Sequence, residues 1–145
     1  MEVEICRIDP EAHLPEYKTA GAACFDLETI EEKTLAPGEI ANLRTGLVMR
    51  VPSGYVLILQ PRSSSPRHGY HMPHGVGIVD SDYSGPDDEL FLQVRNFTDT
   101  PISIEKHQRM AQGYIAPLPK IEWKEISRDA LGQKSRGGFG STGKK

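Results

Sequence analysis

The sequence predicts an all-β protein, and three observations support that fold class. Short segments of apolar or alternating residues recur along the chain, and turn-forming residues separate them at intervals of roughly 8–12 residues. A helical period of apolar residues is nearly absent. The 145 residues include 14 glycines and 11 prolines, which favour short elements joined by many turns. These features are typical of one domain built as a sandwich, jelly roll or barrel.

The predicted strands are recognised by apolar or β-branched residues bounded by turns. In chain order they are residues 3–8, 22–27, 45–51, 55–59, 75–80, 90–96 and 109–116. The segment 55–59 is continuously apolar, and the segment 75–80 mixes glycine with β-branched residues. Glycine, proline and aspartate mark the turns at 37–38, 52–54, 84–88 and 99–101.

The pattern changes after Pro117 and Pro119. Residues 121–126 are predicted to form an edge strand, and residues 128–131 at most one helical turn before Gly132. The residues beyond Gly132 are too small and polar to pack a core. We therefore expect a core over 1–120 and, within the same domain, a C-terminal strand and flexible glycine-rich arm over 121–145.

Composition excludes several function classes. The net charge of −3 argues against a protein that coats nucleic acid, although a few local Arg and Lys residues could still bind a small polyanion. No apolar run is long enough to span a bilayer, and the acidic start does not resemble an export signal. Cys6 and Cys24 lack metal-binding spacing and are expected to be reduced thiols. We expect a cytoplasmic protein without a nucleic-acid or membrane partner.

Three internal stretches carry polar chemistry at strand ends. Residues 61–65 place Arg62 before serine hydroxyls, which suits phosphate oxygens or a solvated turn. Residues 77–83 end in two carboxylates and a tyrosine, which could activate water, hold a metal or simply cap a hairpin. In residues 109–112, strict alternation puts Arg109 with Ala111 on one face and Met110 with Gln112 on the other.

The glycine-rich stretch 136–143 is either a disordered terminus or a mobile arm that closes over a nucleotide. Its glycines let backbone N–H groups approach phosphate oxygens, and Ser141 and Thr142 add hydroxyl donors. Arg136 adds positive charge, and Phe139 offers a flat face for stacking on a base.

Taken in order, five stretches resemble the five ordered motifs of the trimeric dUTP diphosphatases (dUTPases). They are residues 22–27, 61–63, 77–83, 109–112 and 136–143, and they extend from about residue 20 to the C-terminus. The stretches Asp80-Ser81-Asp82-Tyr83 and 138–143 are the most specific. The resemblance implies a jelly-roll-like all-β fold (β-clip) and a homotrimer with a swapped C-terminal arm. It also implies three active sites between subunits, each drawing motifs from all three chains.

The same resemblance implies hydrolysis of dUTP to dUMP and diphosphate, which keeps uracil out of DNA and supplies dUMP for thymidylate synthesis. Magnesium would be held mainly by the triphosphate, with no direct protein ligand and with Asp26 near its waters. Asp80 would be the general base. Developing phosphate charge would be met by Arg62, Ser63, the Ser64 backbone and Gln112.

Recognition of base and sugar is also implied by the resemblance. Tyr83 would pack beneath the deoxyribose and leave no room for a 2′-hydroxyl. Uracil would be read by backbone groups of the hairpin that contains Gly77, Ile78 and Val79 and leads into Asp80, with His74 and Phe91 near the base. In the arm, Phe139 and Gly140 would cover the base, while Arg136, Ser141 and Thr142 reach the terminal phosphates.

Several positions depart from the family pattern. Ser64-Ser65 stands where glycine usually follows the second motif, and His74 stands where many members have asparagine. Pro86-Asp87-Asp88 resembles a small insertion. The spacing to Phe139 is short, so either Arg136 or Lys134 fills the arginine position of the arm.

Two alternatives to dUTP hydrolysis remain at this point. Arg62-Ser63-Ser64 resembles the second motif of the related dCTP deaminases somewhat better, and Glu89 could then move protons near the base. A non-catalytic nucleotide sensor is the other alternative. The presence of Asp80, Arg62 and Gln112 favours hydrolysis over both.

Overall fold

The computed structural model describes residues 1–135 and 137, and over these residues the chain is almost entirely strand and loop. The strands are β1 (Glu4–Arg7), β2 (Phe25–Glu28), β3 (Lys33–Leu35), β4 (Ile40–Arg44), β5 (Leu47–Arg50), β6 (Tyr55–Pro61), β7 (Tyr70–His71), β8 (Gly77–Val79), β9 (Phe91–Asn96), β10 (Ile102–Ile104) and β11 (Arg109–Pro117). Two 3-10 helices complete the described elements: η1 (Ser65–His68) and η2 (Arg128–Leu131). The all-β prediction is confirmed.

The described strands pair antiparallel in four small sheets. The largest has the order β2-β11-β6-β8, and the next has the order β4-β9-β7. Strands β1 and β5 form a third sheet, and β10 and β3 form the fourth. Since β2, β11 and β6 are neighbours, the first, second and fourth predicted motifs meet on one sheet although they are far apart in sequence.

Alternation along the strands separates the core from the outer surface. In β2, Phe25 and Leu27 are buried, whereas Asp26 and Glu28 remain partly exposed. Gly113 of β11 lies so close to β2 that an added Cβ would be 2.8 Å from Cε2 of Phe25. The core therefore fills the space behind this sheet, and its polar side chains face outward.

A buried asparagine holds the β9 end of the core. Asn96 is 0% exposed, and its side-chain amide donates to the Leu35 carbonyl at 3.0 Å and the Thr100 carbonyl at 2.8 Å. Its Oδ1 accepts from the Thr98 backbone N–H at 2.8 Å. The side chain therefore joins the end of β3 to the loop between β9 and β10, and its buried polar atoms are paired.

All seven predicted strands are present with shifted ends, but the sequence prediction missed β3, β4, β7 and β10. The predicted edge strand over 121–126 is wrong: these residues form no strand and are exposed, with Trp123 89% exposed. No sheet edge of this chain pairs with them in the described structure, so their strand-like composition has no partner. The single turn over 128–131 is confirmed as η2, which ends at Gly132 with φ 62°.

Among the described residues, no helix is long and apolar enough to cross a membrane. The division near residue 120 between the core and the C-terminal region stays a prediction.

Candidate functional site

A charged cluster lies on the outer face of the β2-β11-β6 sheet. Asp26 Oδ1 is 3.1 Å from Nε of Arg62, and its Oδ2 accepts from Nη1 of Arg109 at 2.9 Å. The Asp26 side chain is only 14% exposed, so its charge is well shielded from water. Two guanidinium groups thus share one carboxylate, which leaves the cluster with an excess positive charge suited to an anion.

A β-bulge brings Arg109 into this cluster. Arg109 is opposite Glu28 and Ala111 is opposite Leu27, so β11 advances two residues while β2 advances one. The extra residue reverses the alternation, and Met110 and Ala111 are both buried. The prediction that Arg109 shares a face with Ala111 is therefore wrong, because Arg109 lies on the Asp26 side together with Gln112. No local sequence signal marked the bulge, and Arg109 was missed as a site residue.

The end of β6 positions the remaining predicted phosphate ligands. Arg62 Nη1 donates to the Arg109 carbonyl at 3.1 Å, and the Arg62 backbone N–H donates to Oγ of Ser65 at 3.1 Å. Gln112 Nε2 donates to the Pro61 carbonyl at 3.1 Å. Ser63 is exposed, and Ser64 is half-buried directly before η1.

The charged cluster contains Asp26, the residue that is expected to lie near the magnesium ion and its waters. Both carboxylate oxygens of Asp26 are engaged by arginines, which leaves neither free to bind a cation directly. That arrangement fits a Mg²⁺ ion held by phosphate oxygens and contacted by the protein through water.

A second region is a pocket of about 290 Å³ between β8 and the start of β9. Every residue predicted to contact base or sugar within the described chain lines it: His74, Gly77, Ile78, Val79, Asp80, Tyr83 and Phe91. Leu59, Met72, Glu89 and Leu90 complete the lining, and the sequence prediction did not place Leu59, Met72 or Leu90 there. Buried apolar residues below and exposed aromatic and polar groups at the mouth suit a flat, partly polar ligand.

Hydrogen bonds stabilise the segment 80–89 at the mouth of the pocket. Tyr83 Oη donates to the Glu89 carbonyl at 2.9 Å, and the Tyr83 backbone N–H donates to the Asp80 carbonyl at 3.2 Å. Oδ2 of Asp88 accepts from the Gly85 N–H at 2.6 Å, so the 86–88 segment closes as a tight turn. Asp80 itself is exposed at the end of β8, where a water molecule can reach its carboxylate.

Glu89 lines this pocket but its carboxylate is anchored in the core. Only 6% of the residue is exposed, Oε1 accepts from the Gly46 N–H at 2.7 Å, and Oε2 accepts from Nε of Arg44 at 3.0 Å. The hydrogen bond to Glu89 raises the pKa of the Arg44 guanidinium. Because both oxygens are engaged, Glu89 is a structural anchor, and the hypothesis that it moves protons is not favoured.

The two regions are separate on one chain. The pocket lining contains none of Asp26, Arg62 or Gln112, although β6 connects to both regions through Leu59 and Pro61. The predicted arm residues Arg136, Phe139, Gly140, Ser141 and Thr142 lie outside the described residues.

Comparison with known proteins agrees with this geometry. The dUTPase family model matches residues 10–143. A deoxyuridine 5'-triphosphate nucleotidohydrolase of Nautilia profundicola is 37% identical over 145 residues, covering 99% of this chain and 100% of the relative. The crystal structure of a dUTPase from Streptococcus mutans has a TM-score of 0.75 and 32% identity, covering 85% of this chain and 100% of that one. A Staphylococcus bacteriophage 80alpha dUTPase variant solved with dUpNHpp has a TM-score of 0.83 and 23% identity, covering 98% of both chains.

Proposed function

The chain belongs to the dUTPase family, and from this premise we propose that it hydrolyses dUTP to dUMP and diphosphate. One observation carries the proposal beyond family membership. All described residues expected to contact base or sugar line a single pocket, and that pocket ends at the exposed carboxylate of Asp80. The reaction removes dUTP as a source of uracil in DNA and supplies dUMP for thymidylate synthesis.

The pocket between β8 and β9 takes the deoxyuridine. Backbone groups around Gly77, Ile78 and Val79 read the uracil edge, since an exposed strand edge offers donors and acceptors at fixed spacing. His74 and Phe91 lie beside the base, and Tyr83 packs against the sugar. The hydrogen bond from Tyr83 to the Glu89 carbonyl holds that ring in place, which supports a role in rejecting a 2′-hydroxyl.

Asp80 acts as the general base. It takes a proton from the water that attacks the α-phosphorus, and the bond to the leaving diphosphate breaks on the opposite side. Arg62, Ser63, the Ser64 backbone and Gln112 stabilise the negative charge that develops on the phosphates. Magnesium, when bound to the triphosphate, neutralises further phosphate charge. Asp26 orients Arg62 through the 3.1 Å contact and can hold a water of the metal.

A homotrimer supplies the complete site. The charged cluster and the pocket are separate on one chain, which supports an active site in which different subunits provide them. The segment 121–126 is exposed and pairs with no strand among the described residues, which supports exchange of the C-terminal region between subunits. The arm then brings Phe139 and Gly140 over the base and Ser141, Thr142 and either Arg136 or Lys134 to the phosphates.

The reaction is tested by product analysis. The purified protein is incubated with magnesium and, separately, with dUTP, dCTP, dTTP and UTP, and diphosphate, nucleoside monophosphate and ammonia are measured. We expect diphosphate and dUMP from dUTP alone. Ammonia released from dCTP, or no turnover of any nucleotide, would contradict the proposal.

The shared site is tested by mixing two inactive variants. Asp80→Asn removes the base from the pocket, and Arg62→Gln removes a cation from the cluster. Each variant alone should lose nearly all turnover of dUTP. Trimers reassembled from equal amounts should recover activity in roughly a quarter of all sites by random assortment, if two chains supply the two residues. No recovery in verified hybrids would place both residues of a site on one chain.

A further inference from the structure

A cluster of metal-binding side chains lies outside the proposed phosphate and base sites. It consists of His13, Glu28 and His107, each of which offers one ligand atom, and these atoms lie within 4.8 Å of one another. Nδ1 of His13 is 2.9 Å from Oε2 of Glu28. The two imidazole rings stack with centroids 4.2 Å apart and an angle of 18° between their planes.

His107 is held in an unfavourable state that its present contacts do not explain. Among the described residues it alone is a non-glycine residue with positive φ, at 61°. Its Nδ1 is buried and has no hydrogen-bond partner within the described chain. Left-handed backbone and an unpaired buried nitrogen both cost free energy, and such costs concentrate at functional sites. A ligand bound at Nδ1 would give that nitrogen the partner that it lacks within the described chain.

The backbone keeps the three side chains together. The His107 N–H donates to the Thr29 carbonyl at 2.8 Å, and the Thr29 N–H donates to the Gln108 carbonyl at 3.1 Å. These two bonds fix His107 beside Glu28, which is the last residue of β2. His13 follows the fully buried Ala12, and a Cβ at Gly46 would be 2.9 Å from Cβ of Ala12, so its loop is packed against the core.

The chemistry of the cluster selects a class of ion. Two imidazoles and one carboxylate are the donor set of Zn²⁺ and similar borderline ions, whereas Mg²⁺ prefers oxygen donors alone. Because zinc–nitrogen bonds are about 2.0–2.1 Å, binding requires the rings to tilt and the ligand atoms to contract.

We propose that His13, Glu28 and His107 form a site for one transition-metal ion of the Zn²⁺ class, distinct from the magnesium of the triphosphate. His13 and Glu28 also line an open pocket of about 370 Å³, which gives an ion and its remaining water ligand access from solvent. Glu11 is nearby, but its carboxylate accepts from Nζ of Lys106 at 2.7 Å and is 4.0 Å from Nε2 of His107. Three protein ligands and a water complete a tetrahedral shell.

The test is metal titration of the full-length, metal-stripped protein in magnesium-free buffer. Zn²⁺ is titrated by calorimetry, and Co²⁺ is titrated by visible absorption as a probe of tetrahedral geometry. We expect about one ion per chain and a rise in Tm on binding, since a ligand specific for the folded state stabilises it. His13→Gln and His107→Asn should each weaken binding at least about tenfold.

Controls separate loss of the site from loss of the fold. Asn tolerates left-handed backbone, so His107→Asn should keep the turn intact, and the His13 side chain is 58% exposed and is not needed by the core. His71→Gln is the matched control, because His71 stacks on Phe97 outside the cluster. Absence of Zn²⁺ and Co²⁺ binding at micromolar concentrations would overturn the proposal. Equal affinity in the wild type and both ligand variants, or equal weakening by His71→Gln, would also overturn it.

Discussion

Replacement of Glu89 by glutamine separates its structural role from a role in proton transfer. The wild-type carboxylate accepts two hydrogen bonds, from the Gly46 N–H at 2.7 Å and from Nε of Arg44 at 3.0 Å. A glutamine amide offers one acceptor and one donor group, so its NH₂ must face one of these donors. The Tyr83 hydroxyl bonds to the backbone carbonyl of residue 89, which the substitution keeps.

The size of the effect follows from burial. A hydrogen bond from a buried N–H to a charged acceptor contributes about 1.5–3 kcal/mol, which applies to Gly46. The Arg44 side chain is 39% exposed and also lies 3.3 Å from Asp9 Oδ2, so its ion pair with Glu89 is screened and adds about 0–1 kcal/mol. We expect Glu89→Gln to lower the free energy of unfolding by about 2–4 kcal/mol, with little change in kcat for dUTP.

Urea unfolding at one fixed protein concentration measures the stability, because an oligomer's apparent stability depends on concentration. Steady-state hydrolysis of dUTP, well below the unfolding transition, measures kcat. Glu31→Gln is the control, since Glu31 also accepts a backbone N–H from Arg44 but does not line the nucleotide pocket. If Glu89→Gln had wild-type stability but almost no turnover, the structural role would be refuted and a role in proton transfer would be supported.

Two further substitutions test the packing of the core. Tyr70 is 0% exposed, and burial raises the pKa of its hydroxyl. No described group hydrogen-bonds to this hydroxyl. The pKa of Tyr70 in the folded protein lies above the unfolded value of 10.0. The stability that the neutral hydroxyl contributes is therefore complete below pH 10 and is lost as the pH rises through the folded pKa. Tyr70→Phe should therefore be neutral or stabilising by up to about 1 kcal/mol near pH 7. Above pH 10 the variant should lose less stability than the wild type. Identical curves of unfolding free energy against alkaline pH would contradict this. Gly113→Ala adds a Cβ 2.8 Å from Phe25 Cε2 and should destabilise the protein by about 1–3 kcal/mol in thermal melts. Gly21→Ala is the control, because its Cβ would have no heavy atom within 4 Å and should not change the stability. Equal Tm values for the two variants would show that β2 can shift without a cost in stability.

The sequence by itself determined the fold class and part of the lining of the pocket between β8 and β9. Alternation and turn signals are local, so seven strands could be recognised without the structure. Apart from Leu59, the pocket residues lie within the stretch 72–91 of the sequence, with Asp80 directly after β8. The order of five motifs led to the family that the comparisons support. Two of the missed strands, β3 and β7, have only three and two residues, which is too short for a periodic pattern.

Only the tertiary structure decided which distant residues meet. The bond between Arg109 and Asp26 joins residues 83 positions apart, and it depends on a bulge whose extra residue reverses the alternation. The hydrogen bond from the Gly46 N–H to the Glu89 carboxylate joins residues 43 positions apart, and it indicates a structural role for Glu89 instead of a role in proton transfer. Residues 121–126 have strand-like composition but pair with no strand in the described part of the chain. The stacking of His13 on His107 depends on the turn beside β2. Local pattern predicts which backbone is extended, but sheet register and burial determine which side chains come into contact.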